Sequence, residues 1–316
     1  MKILIFKHLL IYLLKCYYFL KFVKTKNILM NYVLISKGII PDHINYTINT
    51  ILSVDKNAEI YFCSDVKANF KNVNFIHMDD IVSNNTQEIA SLQIYKNTIF
   101  EKNPLWETSM LRIFYLNDIQ TQLNLNQLVH FDNDILIYKP YDAIAKVFNE
   151  EKFFITPSNL NRMIFGYSFI PNNKIYKQVC NSIHKKLIEG VKNEWGFNKN
   201  TPPNEMDLLG MVNLENPELF KTLPIFPYYS NILFDPLGYG QYIDGTHTNP
   251  KKTFGKDFLD FNDSIAVEIF SKRISCRFSN STPIITYKNT EFTLSNLHIH
   301  SKRFKKFLPK EYREYC

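Results

Sequence analysis

The chain has 316 residues, 45% apolar and 21% charged, which specifies a folded core and argues against disorder. Nine glycines, with no Gly-x-Gly-x-x-Gly and no Gly-x-x-x-x-Gly-Lys run, exclude the common glycine-rich phosphate loops. The formal net charge of +7 sits at the ends, where residues 1–29 hold six lysines and no acid and residues 302–316 hold six bases against two acids. A groove that tracks nucleic acid needs basic residues through its body, so nucleic acid is rejected as a partner.

Basic ends suit an anionic membrane surface better. Residues 3–23 are apolar, but Lys7, Lys15 and Lys21 interrupt them, and no run reaches the roughly 18 residues of a clean span. No small-residue cleavage site follows. The segment 1–29 is therefore read as a membrane-surface anchor or as an extension upstream of a domain that opens at Met30, with the anchor favoured. Five scattered cysteines, odd in number and without metal spacing, point to a reducing compartment. The expected location is the cytoplasm, peripheral on the inner face of the membrane.

Residues 32–36 form a β-rich run ending at the Lys37-Gly38 turn, and Ile44, Ile48, Ile51 and Leu52 have helical spacing. Strands follow at 58–63 and 73–76, so the chain opens as a parallel α/β sheet. Residues 80–103 are polar and less decided between helix and loop. A helix over 107–122 and a short apolar strand at 128–131 lead to Asp132-Asn133-Asp134, with a second apolar run at 135–138. Strands are expected at 153–156 and 163–170, helix at 174–189, loop at 193–204 and helix at 205–212. Beyond Pro224 the composition indicates turns and a basic tail over 309–316.

The chemistry concentrates at His130-Phe-Asp132-Asn-Asp134-Ile-Leu. Two carboxylates at i and i+2 after a buried strand leave the sheet edge together, where open α/β sheets bind ligands. Hard oxygens so paired suit Mg²⁺ or Mn²⁺ shared with a diphosphate. The alternative is a solvated turn, and the apolar runs on both sides favour the metal reading. His298 and His300 alternate on an expected strand and so share a face.

In this order the motifs resemble bacterial GT-A glycosyltransferases of the capsule and lipopolysaccharide type, over roughly residues 31–307. The resemblance implies a GT-A fold over 30–308, a Rossmann-like mixed central sheet flanked by helices. It implies that Arg112, in Trp106-Glu-Thr-Ser-Met-Leu-Arg112-Ile-Phe, reaches the donor nucleotide or diphosphate, where composition alone favours a surface charge. Family 8 members end in His-x-x-Gly-x-x-Lys; this chain has His298-Ile-His300-Ser-Lys302. The resemblance makes a histidine here complete the metal site, with His300 favoured and His298 supporting it, and makes Lys302 grip phosphate. It also places Ser36, Lys37 and Asp65 at the base and ribose, and Arg162–Ser168 along the donor sugar, with Gly166 allowing close approach; an ordinary core strand is the alternative.

Asn204-Glu205-Met206-Asp207 opens a helix, and Glu205 or Asp207 is either the general base for an acceptor hydroxyl or an acid complementing the helix dipole. In Phe234–Tyr242, Asp235 and Gln241 are candidates for reading sugar hydroxyls while aromatics stack on a ring. The expected function is metal-dependent transfer of a hexose from a nucleotide sugar, UDP-linked, to a glycan or glycolipid acceptor in surface polysaccharide synthesis. The rivals are a sugar nucleotidyltransferase, poorly supported by the single glycine of Ser36–Pro41, and a silent sugar- or nucleotide-binding protein, which would not need both the Asp pair and the late histidines.

Overall fold

The computed structural model describes residues 29–192, 202–247 and 264–315. The basic apolar segment at 1–28 and most of the loop expected at 193–204 lie outside the described residues. Among the described residues no helix is long and apolar enough to cross a membrane.

The chain opens β1 (Met30–Ser36), α1 (Ile44–Val54), β2 (Ala58–Ser64) and β3 (Asn74–His77), followed by α2 (Asn84–Ser91) and α3 (Leu105–Gln122). It continues through β4 (Leu128–His130), β5 (Ile135–Ile137), α4 (Tyr141–Ile144), β6 (Phe153–Asn159), β7 (Arg162–Ile170), α5 (Asn173–Lys192), α6 (Glu205–Glu215) and β8 (Phe220–Thr222). The last part holds α7 (Gly238–Asp244), α8 (Ser264–Phe270), β9 (Ser275–Ser279), β10 (Thr282–Tyr287), β11 (Thr290–Thr293) and β12 (Asn296–His298).

A seven-stranded sheet has the order β3-β2-β1-β4-β7-β6-β8. Strands β3, β2, β1 and β4 run parallel to one another, β7 is antiparallel to both β4 and β6, and β8 is parallel to β6. This is a mixed α/β sheet flanked by helices, as the sequence predicts. Both faces are covered, so β1 is apolar on both faces over Tyr32–Ile35 instead of alternating with polar residues. Val33 and Ile35 face Met110, Leu111 and Phe114 of α3 and Tyr176 of α5, while Tyr32 and Leu34 face Ile44, Ile48 and Ile51 of α1. Each such side chain, fully buried, contributes about 1.5–3 kcal/mol.

Helix α3 starts two residues before its expected position. Asn103 Oδ1 accepts from Leu105 N at 3.1 Å, satisfying an amide that lacks a partner within the helix, and Pro104 O accepts the first helical bond from Thr108 N at 3.0 Å. Because α2, α5 and α6 also pack on it, α3 is buried around most of its circumference, and even Asp118 lies inside. That carboxylate accepts from Thr86 Oγ1 at 2.6 Å and Ser83 N at 3.0 Å.

The carboxy-terminal part is more ordered than its turn-rich composition suggests. β9, β10 and β11 form an antiparallel meander whose two-residue loops, Asn280-Ser281 and Lys288-Asn289, have positive φ at both positions. Those are the dihedrals that match the twist of a tight hairpin. β12 then pairs antiparallel with β5, setting His298 opposite Ile135, and Ile299 N donates to Asp134 O at 2.8 Å. This short ribbon brings the end of the chain to the end of β4. Residues 309–315 run back along α1, where Tyr315 N donates to Asn49 Oδ1 at 2.9 Å and Arg313 N to Ser53 Oγ at 2.8 Å.

Candidate functional site

Asp132 lies two residues beyond the end of β4, at the carboxyl-terminal edge of the parallel strands. Its amide donates to Phe165 O of β7 at 3.0 Å, and Ile135 N closes a turn on Asp132 O at 3.2 Å. Between the two acids, Asn133 Nδ2 donates to Ile35 O and Thr47 Oγ1 donates to Asn133 O, both at 2.7 Å. The Asp-Asn-Asp turn is thereby fixed to β1 and α1, and its two carboxylates project into one cavity.

That cavity has a volume of about 510 Å³. Its walls hold Ser36, Lys37, Arg112, Asp132, Asp134, Glu205, His298, His300 and Lys302 from the sequence-derived set, and also His43, Trp106 and His247. Residues nearly 270 positions apart in the chain thus meet in one place.

Asp134 is the centre of this group. His298 Nε2 lies 2.7 Å from its Oδ1, and Lys302 Nζ donates to its Oδ2. His298 Nε2 is also 3.9 Å from Asp132 Oδ2. The other ring nitrogen, Nδ1, is 3.2 Å from Pro236 O; a carbonyl only accepts, so Nδ1 carries a proton, and Nε2, in contact with an ionised carboxylate, carries one as well, which it would give up on taking a metal. The His300 ring stacks on His298 with centroids 3.8 Å apart, and its Nε2 is shielded from solvent without a hydrogen-bond partner. The strand ends at His298, and the two imidazoles lie stacked on one side.

The electrostatics follow from crowding. Burial opposes charge on His298, but the adjacent Asp134 and Asp132 carboxylates outweigh it and push the ring up to about 9. Burial and the neighbouring His298 hold His300 well below the usual range. Asp134 stays ionised despite its burial because His298 and Lys302 lower it strongly.

Asp134, His298 and His300 offer ligand atoms within 4.8 Å of one another, the group among the described residues that could hold a metal. One carboxylate, two imidazoles and a buried nitrogen without a partner fit a divalent cation that accepts both nitrogen and oxygen. Asp132 stands beside this group and is bound by Arg112 Nη1.

Arg112 is a buried crosslink. Its Nη2 donates to both carboxylate oxygens of Glu205 at 2.8 Å, while its guanidinium lies 5.0 Å from the Phe165 ring centroid. Burial raises Glu205 to about 7, with Arg112 pulling it down and Asp132 pushing it up. One cation serves two carboxylates, so the group retains a proton more readily than a simple ion pair.

Asp207 is two residues beyond Glu205 in α6 and does not line the cavity. Its Oδ2 accepts from Asn204 N at 3.2 Å, Asn204 Oδ1 accepts from Asp207 N at 3.2 Å, and Arg162 Nε is 2.8 Å from Asp207 Oδ1. This is a capping box closing the amino terminus of α6.

Asp65, Gly166, Asp235 and Gln241 also lie off the cavity wall. Asp65 Oδ1 accepts from Gly38 N at 2.7 Å, holding the loop after β1, in which Gly38 has φ +80°. Gly166 does allow a close approach, but of Pro236: a Cβ there would lie 2.2 Å from Pro236 O. Asp235 is fully buried and accepts from Tyr239, Gly240 and His298 amides, each at 3.0 Å. It ties the start of α7 to β12, and so supports the His298 backbone. Burial raises it to about 6 against those three amides. Gln241 sits within α7, where its carbonyl accepts from Gly245 N at 2.7 Å.

The sequence did not reveal the Arg112–Glu205 link, the double anchoring of Asn133, or the cavity walls at His43, Trp106 and His247. Only Trp106 carried a signal, as a bulky apolar residue in the exposed first turn of a helix preceded by Pro104.

No described protein family matches the sequence, and no curated protein matches it. Among solved structures, the galactosyltransferase LgtC in complex with donor and acceptor sugar analogues is 11% identical over 89% of this chain and 98% of that chain, with a TM-score of 0.46. Mouse xyloside xylosyltransferase 1 in its apo form is 10% identical over 62% of this chain and 85% of that chain, with a TM-score of 0.42. The glycosyltransferase GlyE of Streptococcus pneumoniae is 13% identical over 67% of this chain and 47% of that chain, with a TM-score of 0.37.

Proposed function

We propose that the chain is a metal-dependent glycosyltransferase that moves a hexose from a nucleotide sugar, UDP-linked, to a glycan or glycolipid acceptor in surface polysaccharide synthesis. One observation carries the reading: Asp132, Asp134, His298 and His300, with the cations Arg112 and Lys302, line one cavity at the carboxyl edge of a parallel sheet. The ordered resemblance to GT-A enzymes supports it further.

Asp134, His298 and His300 would hold the cation, with Asp132 completing the set. Imidazole nitrogens favour Mn²⁺ over Mg²⁺, which prefers oxygen. When bound there the cation would supply charge neutralisation for a departing diphosphate. Lys302 and Arg112 add positive charge on the same wall, and Ser36 and Lys37 border the nucleotide end. Glu205 holds Arg112 and Asp207 caps α6, so neither carboxylate stands free to deprotonate an acceptor. The basic ends support contact with an anionic membrane surface on the cytoplasmic side.

The test is a donor screen that follows UDP release with Mn²⁺ present, using UDP-glucose, UDP-galactose and UDP-N-acetylhexosamines. Release from one donor that requires Mn²⁺ and disappears in Asp134→Ala is expected. Release indifferent to both would refute the assignment.

A further inference from the structure

Lys302 occupies an unusual position for a residue whose expected task is to grip phosphate. Its ammonium is on Asp134 Oδ2, while Oδ1 faces His298 Nε2 at 2.7 Å, so both oxygens of the central carboxylate are taken. The His300 Nε2 nearby has no partner. A cation entering this group finds one free imidazole and a carboxylate already bound by His298 on one oxygen and by Lys302 on the other.

The backbone around Lys302 is built to hold it there. Lys302 N donates to Ile299 O at 3.0 Å, closing a turn, and the residue sits at φ +60°, a left-handed conformation that a lysine rarely adopts. On either side, Ser301 Oγ donates to Asp244 Oδ2 at 2.5 Å and Arg303 Nε to the same oxygen at 2.8 Å. Phe304 stacks on His43 and Tyr46 of the α1 region, with centroids 5.1 and 5.4 Å away. The turn is therefore anchored, and the flexible four-carbon stem is what remains able to swing. Arg112 differs: two carboxylates clamp its guanidinium.

We propose that Lys302 is a built-in counter-ion for Asp134, which a divalent cation must displace, and that a nucleoside diphosphate relieves this competition by giving the ammonium a second anionic partner. The inference rests on the metal-site reading above. Asp134 is buried while Lys302 is partly in solvent, so a unit charge in contact with the carboxylate repels an incoming divalent cation with a strength that solvent reduces but does not remove. Metal and diphosphate binding are then coupled through one side chain, and coupling is reciprocal.

The experiment is calorimetric titration of the full chain with Mn²⁺ alone, and then with UDP at saturating Mn²⁺, for wild type, Lys302→Met and Lys302→Arg. Lys302→Met is expected to bind Mn²⁺ alone on the order of tenfold more tightly than wild type and UDP on the order of tenfold more weakly. Lys302→Arg, which keeps the charge, should show no gain for Mn²⁺. Opposite signs for the two ligands set this apart from general loosening of the turn, which would weaken both. Mn²⁺ affinity unchanged or reduced in Lys302→Met overturns the proposal and leaves the metal site standing. Absence of Mn²⁺ binding by wild type and Lys302→Met alike, with or without UDP, overturns the metal site and the proposal with it.

Discussion

Glu205 holds Arg112 with both of its carboxylate oxygens, each 2.8 Å from Nη2, and Arg112 in turn binds Asp132. The first residue of α6 thereby sets the side chain of the first acid of the Asp-x-Asp turn, through a guanidinium supplied by α3. Removing Glu205 would leave a buried guanidinium with one partner in place of two. Breaking a buried pair costs about 3–5 kcal/mol, and the surviving Asp132 contact puts Glu205→Ala near the lower end. Urea denaturation measures this directly; a loss below about 1 kcal/mol would mean that the crosslink contributes little.

The same residue gives stability a pH dependence of definite sign. Glu205 is raised to about 7 from its ordinary value of 4.5, first by burial and then by Asp132, against Arg112. A folded-state value above the unfolded one means that the native protein holds the proton more tightly. The stabilisation is complete below about 4.5 and is lost as pH rises through about 7. The stability difference between wild type and Glu205→Gln should therefore fall across that window in urea titrations, and parallel pH profiles for the two proteins would contradict the assignment.

Gly166→Ala tests how β7 meets the loop after Asp235. The new Cβ would lie 2.2 Å from Pro236 O, and both neighbours are backbone, so neither can turn aside like a flexible side chain. Overpacking of this kind costs about 1–3 kcal/mol. Thermal unfolding should show a lowered Tm; an unchanged Tm would mean that the strand and loop separate freely.

Asp235→Asn should destabilise by a similar amount. The carboxylate accepts three amides, and an amide nitrogen in place of one oxygen would face a donor. Leaving buried donors unsatisfied costs about 1–3 kcal/mol each. Because one of the three is the His298 amide, Mn²⁺ affinity should fall together with stability. Calorimetry that finds normal Mn²⁺ affinity in a destabilised Asp235→Asn would separate the loop from the metal group.

The amino-terminal half of the fold was legible because its signals are local. β1 is apolar on both faces, α1 and α3 show helical spacing, and Asp132 and Asp134 flank a turn between two apolar runs. The carboxy-terminal half was less so. The hairpins at Asn280-Ser281 and Lys288-Asn289 lack the glycine that usually marks a two-residue turn, so the meander passed for irregular chain. Asp235 resembled a sugar-binding residue because sequence shows a carboxylate in an aromatic loop, not the three amides converging on it. Glu205 and Arg112 stand 93 positions apart, and nothing local marks either as the other's partner. Alternation predicts His298 and His300 on one face, and their rings lie stacked side by side although the strand itself stops at His298.

The measurement closest to the central claim is titration of the full chain with UDP-sugars in the presence and absence of Mn²⁺, for wild type and Asp134→Ala. Asp134 is the residue that both histidines and Lys302 surround, so the account predicts donor binding that requires Mn²⁺ and is lost in Asp134→Ala while the protein stays folded. Donor binding of equal strength with and without Mn²⁺, or undiminished in Asp134→Ala, would contradict it.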